Sequence, residues 1–187
     1  MFNFKNFLKS KLKGYNILYL IRLEIESFFF YFSSLVPTKI GMLIRWILIK
    51  IFFKKSRGFQ WVAPNVIFEH TNRISIGQNV GINTNTYING VGEIEIGDYV
   101  LMGVGIMITS GEHPINDRDV PVFFRQTIPN KIIIEDDVWI GSNTCILPGV
   151  KIKKGCVIAA NSVVTKNMEL EEYGIYAGSP AKKIGSR

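Results

Sequence analysis

The chain has 187 residues, 47% of them hydrophobic, with a net charge of +7 and two cysteines. This length suits one ordinary domain with an appendage and excludes a pair of full domains. Cys145 and Cys156 have a spacing unlike a short zinc site, so neither a metal pair nor a disulfide is expected. No basic head, apolar run and small-residue cleavage site is evident, which points to a reducing cytoplasm.

Charge is unevenly distributed. Residues 1–58 hold eleven Lys and Arg against two acids, Glu24 and Glu26, whereas residues 59–187 hold eleven against thirteen. The basic side chains of the first segment alternate with large apolar ones instead of forming a solvated run, which favours a membrane surface over nucleic acid as partner.

In chain order, residues 1–14 form a short basic amphipathic piece, and Tyr15 to Val36 is an apolar segment with Arg22, Glu24 and Glu26 at its middle. Pro37 breaks it. Thr38 is the expected N-cap of a second helix reaching about Phe53, with Lys39, Lys50 and Lys54 within about 60° on a helical wheel and Arg45 off to one side. No charge-free run reaches the ~20 residues that span a bilayer. Two fates stay open for these helices: lying in the membrane plane with Trp46 and the phenylalanines in the acyl boundary, or packing on the rest of the chain and on neighbouring subunits.

From Trp61 onward Gly and Asn become frequent and a six-residue period replaces helical spacing. Residues 62–75 read as an irregular first coil. Ile76, Ile82 and Ile88 follow, with Val80 and Thr86 between them; a two-residue slip then resets the phase to Ile96, Met102 and Ile108. The longest run is Ile134, Ile140, Ile146, Ile152, Ile158 and Val164, with the smaller Val138, Thr144, Val150, Cys156 and Ser162 interposed. Such a beat predicts short strands and turns stacked as parallel coils at the ~4.8 Å strand spacing. Residues 110–131 interrupt it with a long loop carrying His113, one of two histidines. Long loops thrown out of a rigid scaffold tend to be functional.

Beyond the hexads, four stretches carry a family resemblance: ITSGEHP at 108–114, DDVWIGSNTCILPGV at 136–150, AANSVVTKN at 159–167 and IYAGSPAKKI at 175–184. Over residues 60–187 the chain resembles the hexapeptide-repeat acyltransferases, and most closely the maltose, galactoside and polysaccharide O-acetyltransferases. The resemblance implies a mainly β fold, a left-handed parallel β-helix over 59–187 behind an N-terminal helical segment at 1–58. It also implies a homotrimer with active sites between adjacent solenoids, and acetyl-CoA as donor.

By position His113 takes the role of general base, which suits an imidazole asked to deprotonate a sugar hydroxyl near neutral pH. Asn83, and less closely Asn85, match acceptor contacts, and Trp139 matches a tryptophan beside the catalytic histidine. Gly141, Ser142 and Ala160 would line the pantetheine arm, with the Ser142 amide polarising the thioester oxygen, and Lys166, Lys182 and Lys183 would meet the CoA phosphates. The family's acceptor-side aspartate is unmatched, since the chain reads INGVGE there. Glu112, Asp117 and Asp119 are each candidates to orient His113, and the sequence leaves that choice open. His70, outside any motif, reads as structural. Two histidines do not supply the three ligands of the zinc carbonic anhydrases that share this solenoid, so no metal is implied.

The implied function is acetyl transfer to a hydroxyl of a bacterial surface polysaccharide or its lipid-linked precursor, in the cytoplasm or peripherally at the inner face of the plasma membrane. Two alternatives remain: an N-acetyltransferase acting on a soluble amino-sugar nucleotide, and a non-catalytic scaffold.

Overall fold

The computed structural model describes residues 16–116 and 118–187, so the basic piece at 1–14 and Asp117 lie outside the described residues. Two helices open the fold, α1 (Ile17–Ser34) and α2 (Lys39–Phe52). Asn16 caps α1, its side-chain oxygen accepting from the Tyr19 N–H at 2.7 Å. Thr38 occupies the N-cap of α2 without a side-chain bond.

The strands then follow in coils of three. The first coil holds β1 (Lys55–Ser56), β2 (Gln60–Val62) and β3 (Ile67–Glu69); the second β4 (Ile74–Ile76), β5 (Val80–Ile82) and β6 (Tyr87–Asn89); the third β7 (Ile94–Ile96), β8 (Leu101–Met102) and β9 (Met107–Thr109). A hairpin of β10 (Gly111–Glu112) and β11 (Ile128–Pro129) carries the long loop. Two further coils are β12 (Ile132–Ile134), β13 (Trp139–Ile140) and β14 (Cys145–Ile146), then β15 (Lys151–Ile152), β16 (Val157–Ile158) and β17 (Val163–Val164). The chain closes with β18 (Gly174–Gly178) and antiparallel β19 (Ala181–Ser186).

Parallel pairing sorts the coils into three faces. Face A is β1-β4-β7-β12-β15, face B runs from β2 through β5, β8, β13, β16 and β18, and face C is β3-β6-β9-β14-β17. The hexad residues form its interior. Ile76, Ile96, Ile134 and Ile152 stack in register inside face A, Ile82, Met102, Ile140 and Ile158 inside face B, and Ile88, Ile108, Ile146 and Val164 inside face C. All are buried. At roughly 1.5–3 kcal/mol for each fully buried aliphatic side chain, these three ladders dominate the stability of the solenoid. The smaller residues between them are buried as well, Thr144 donating its hydroxyl to the Gly141 carbonyl at 2.7 Å.

The first coil corrects the expectation of irregularity at 62–75. Val62 and Phe68 point inward in register with Ile82 and Ile88, so the beat is already running, and only a short 3-10 turn, Thr71–Arg73, precedes β4. The turn mimics the two-residue slip later in the chain, at Gly90–Glu93. Both slips, and the long loop, fall at the corner between faces C and A. The B–C corner stays regular: Asn65, Asn85, Gly105, Asn143 and Asn161 occupy it coil by coil, each with φ between 58° and 72°. Asn and Gly tolerate this left-handed conformation best, which is why the sequence between hexads is rich in both.

The helices are locked to the solenoid by buried polar groups. Arg45, placed at the edge of a helical wheel by the sequence, is in fact 1% exposed, because its guanidinium bonds to three backbone carbonyls: Val62 at 2.9 Å, Ser33 at 2.6 Å and Val36 at 3.1 Å. It thereby ties α2 to the end of α1 and to β2. Glu26 is buried beside Arg22 at 2.7 Å and accepts a hydrogen bond from the Thr71 hydroxyl, so it anchors α1 to the first coil. Replacing Arg45 with Leu removes the guanidinium donor from three carbonyls, of which Ser33 keeps the Val36 N–H at 3.3 Å, and should lower the free energy of unfolding by about 2–4 kcal/mol, read from the urea midpoint. An unchanged midpoint would contradict this account.

Candidate functional site

The expected site residues gather at two corners of the triangular solenoid. His113 is exposed at the base of the long loop, directly after β10, at the C–A corner. The loop is braced by Arg125, which donates to the Pro114 carbonyl at 2.6 Å and, through Nε, to the Val120 carbonyl at 2.8 Å. Beside His113 the Glu112 carboxylate accepts from Asn130 and from Lys166, both at 3.4 Å. Lys166 follows β17 at the same corner two coils on. Of the expected phosphate-binding lysines, then, Lys166 stands with the histidine loop.

The other residues line the B–C corner. Trp139 projects outward from β13 on face B, and Gly141, Ser142 and Ala160 turn the corner on the fourth and fifth coils. A Cβ on Gly141 would lie 2.5 Å from the Ala160 nitrogen, so only glycine lets these backbones come so close. The Ser142 N–H, at the turn, bonds to no backbone carbonyl among the described residues. Its hydroxyl accepts from the Val104 N–H at 3.1 Å. Lys182 lies above this corner, across the β18–β19 hairpin from Ala177, and makes no ion pair among the described residues. Lys183 is tied to Glu171 at 2.6 Å, which raises its pKa above the ordinary value.

Asn83 and Asn85 also sit at the B–C corner, on the second coil. Asn85 is one of the column of positive-φ residues, a position that asks for Asn on backbone grounds alone, whereas Asn83 is exposed with its amide free of partners within the described residues. The two corners bound opposite sides of face C. Within one chain, therefore, His113 does not meet Trp139 or Ser142.

Sequence reasoning missed a polar cluster at the C–A end of face C. Glu69 accepts from the Tyr87 hydroxyl at 2.6 Å and from the Asn89 amide at 2.9 Å, and Glu69, Asn89 and Thr109 are in register below the loop of His113. Burial, with help from the Glu69 hydrogen bond, pushes the Tyr87 pKa up to about 12. The available signal was the alternation in TYIN, which turns Tyr87 and Asn89 outward around Ile88. His70 hydrogen-bonds to Tyr19 of α1 at 2.7 Å through Nδ1 and stacks on its ring, a contact between helix and solenoid, and burial lowers its pKa.

The outward rows of the three faces differ. Face A shows Lys55, Ser75, Glu95, Ile133 and Lys151, whereas faces B and C show mainly apolar side chains, among them Trp61, Leu101, Trp139, Met107 and Val163. The loop adds exposed Ile115, Phe123 and Phe124. Among the described residues no three His, Cys, Asp or Glu side chains gather as a metal site.

The model of the bacterial transferase hexapeptide (six repeats) matches residues 131–166. The galactoside O-acetyltransferase of Escherichia coli K12 is 32% identical over 163 residues, which are 87% of this chain and 77% of that protein. Two other curated relatives, from Mycobacterium tuberculosis and Schizosaccharomyces pombe, are 32% and 30% identical, and the matched region spans 43% and 65% of their lengths. Among solved structures, a hexapeptide-repeat acetyltransferase of Vibrio cholerae in complex with acetyl coenzyme A superposes with a TM-score of 0.82 at 29% identity, covering 93% of this chain and 91% of that one. Galactoside acetyltransferase in complex with coenzyme A gives 0.81 at 26% identity, covering 100% and 92%. The chain belongs to the hexapeptide-repeat acetyltransferase family.

Both cysteines are free, Cys145 facing outward on face C and Cys156 inward with its thiol bonded to the Glu171 carbonyl at 3.0 Å. Burial raises both thiol pKa values, and the thiolate is the reactive form. A disulfide reagent at neutral pH should therefore label Cys145 slowly and Cys156 only after denaturation; rapid labelling of Cys156 in the native protein would refute its burial.

Proposed function

We propose that this protein transfers acetyl from acetyl-CoA to a hydroxyl of a bacterial surface glycan or its lipid-linked precursor, acting as a homotrimer. The observation that carries the reading is the division of the site between two corners: a histidine on a braced loop at one, and a glycine- and alanine-lined turn with a spare N–H at the other. Two copies meeting corner to corner bring the halves together, and the apolar outer surfaces of faces B and C give them area to bury.

In this site His113 accepts the proton of the acceptor hydroxyl as its oxygen attacks the thioester carbonyl. The Ser142 N–H donates to the oxyanion of the tetrahedral intermediate. Collapse breaks the carbon–sulfur bond, and the imidazolium returns the proton to the departing CoA thiolate. No acyl-enzyme forms. Lys182 approaches the CoA phosphates from the donor corner, and Lys166 and Lys183 do so only by leaving Glu112 and Glu171. His113→Ala should lower kcat by about 10²- to 10⁴-fold, with the sedimentation coefficient and the affinity for CoA unchanged. Full activity in that variant would overturn the assignment.

The glycan as acceptor draws support from the galactoside O-acetyltransferase relative and from the helices. No described helix is long and apolar enough to cross a membrane. The outward surfaces of α1 and α2 nonetheless expose Leu18, Phe28, Ile40 and Ile51. With the basic excess of residues 1–58, this surface suits in-plane attachment where lipid-linked acceptors reside. The protein should float with phosphatidylglycerol vesicles at low salt, and Leu18→Ser with Phe28→Ser should abolish flotation without changing the oligomer. If the double variant instead dissociates the oligomer, the surface is a subunit interface.

A further inference from the structure

At the C–A corner two side chains from different coils converge on one carboxylate oxygen. Glu112 Oε1, on β10, accepts from Asn130, which stands between β11 and β12, and from Lys166, which follows β17. The neck of the histidine loop is otherwise closed from within: β10 pairs with β11, and the Asn130 N–H donates to the Ser110 carbonyl at 2.7 Å. Lys166 ties this neck to the fifth coil. Its side chain runs back along the corner past Gly149, where a Cβ would lie 3.2 Å from the Lys166 Cβ and 3.4 Å from the Asn130 side chain, so the glycine keeps the passage open.

Lys166 is rooted two coils beyond β10, about 10 Å along the axis at the usual strand spacing. Pairing with Glu112 therefore draws its ammonium back to the level of His113, away from the C-terminal end where Lys182 stands. The pair is loosely made. Its charged atoms are 3.4 Å apart, and the Glu112 and Lys166 side chains are 39% and 49% exposed, a setting in which an ion pair contributes little. No other acid pairs with Lys166 among the described residues.

We infer that Glu112 is an internal stand-in for a phosphate of the donor: it holds Lys166, and through it the neck of the histidine loop, until CoA takes the lysine over. The inference rests on the acetyl-CoA reading above and adds a residue that sets donor affinity without touching the donor. A lysine ammonium is a compact charge on a flexible stem, and phosphate oxygens bind it as readily as a carboxylate does. Exchanging one anion for the other keeps Lys166 paired throughout. The donor then loses only what one exposed ion pair is worth, about two- to fivefold in Kd. The coupling is reciprocal, so a firmer hold of Glu112 on Lys166 weakens donor binding by the factor that donor binding weakens the hold. Arrival of CoA also unties β10 from the fifth coil one residue away from His113, and donor binding and release of the loop neck become one event.

The test is a double-mutant cycle with CoA as the probe, its Kd read by calorimetry at low salt. Glu112→Gln should lower the Kd about two- to fivefold. Lys166→Met should raise it, and adding Glu112→Gln to Lys166→Met should change nothing further. The last arm separates the latch from a general loss of negative charge, which would favour CoA in both backgrounds. An unaltered or higher Kd in Glu112→Gln, an unaltered Kd in Lys166→Met, or an equal gain from Glu112→Gln in both backgrounds would overturn the inference. The two readings fail separately. The expected cycle without acetyl transfer by the wild-type protein would uphold the latch and remove the reaction, whereas turnover that His113→Ala abolishes, with CoA affinity unmoved by Glu112→Gln, would do the reverse.

Discussion

Everything in this molecule depends on the register of one coil upon the next. A coil of three two- or three-residue strands cannot bury its own aliphatic side chains, so each inward Ile or Val is covered by the residue at the same point of the neighbouring coil. Where three hexads make a turn, as from Ile134 to Ile152, eighteen residues return the chain to the same place. Where the turn takes twenty, as from Ile76 to Ile96, the extra pair must be absorbed at one corner without moving the ladders. The C–A corner does this on the first two coils, and on the third it absorbs the whole loop of His113.

That tolerance has a functional consequence. A corner that accepts two extra residues at low cost accepts twenty, because the strands on either side are fixed by the ladders and not by the connection. The candidate base His113 is thereby presented on an irregular segment with rigid flanks, braced by Arg125 from within. The opposite constraint rules the B–C corner, where left-handed Asn and Gly repeat on each coil and a missing side chain at Gly141 brings two backbones together. One corner supplies variability and the other close backbone approach. An acyl transfer between two substrates needs both.

The N-terminal helices obey a different logic. Their inward surfaces are held by a buried arginine and a buried glutamate whose hydrogen bonds end on carbonyls and on the Thr71 hydroxyl. Their outward surfaces are left apolar. Phe28 and Ile40 are exposed on those surfaces, the area that the proposed membrane attachment or subunit packing would cover.

The sequence by itself determined the period, the interior residues, the breadth of the loop and the chemical identity of the candidate base, because a fixed beat of six with turn residues between has few folded solutions. It also showed the first coil's beat in Val62 and Phe68, which the dominance of later, cleaner repeats obscured. Only the tertiary structure decided which candidates share a corner. Corner assignment depends on the cumulative count of slips along the chain, since each slip of two residues shifts the sequence phase of every later hexad while the ladders keep their register. For the same reason the pairing of Lys166 with Glu112 and the bond from Arg45 to the Val62 carbonyl lay beyond sequence reasoning: each joins residues 17 or more positions apart through a register that local pattern does not encode.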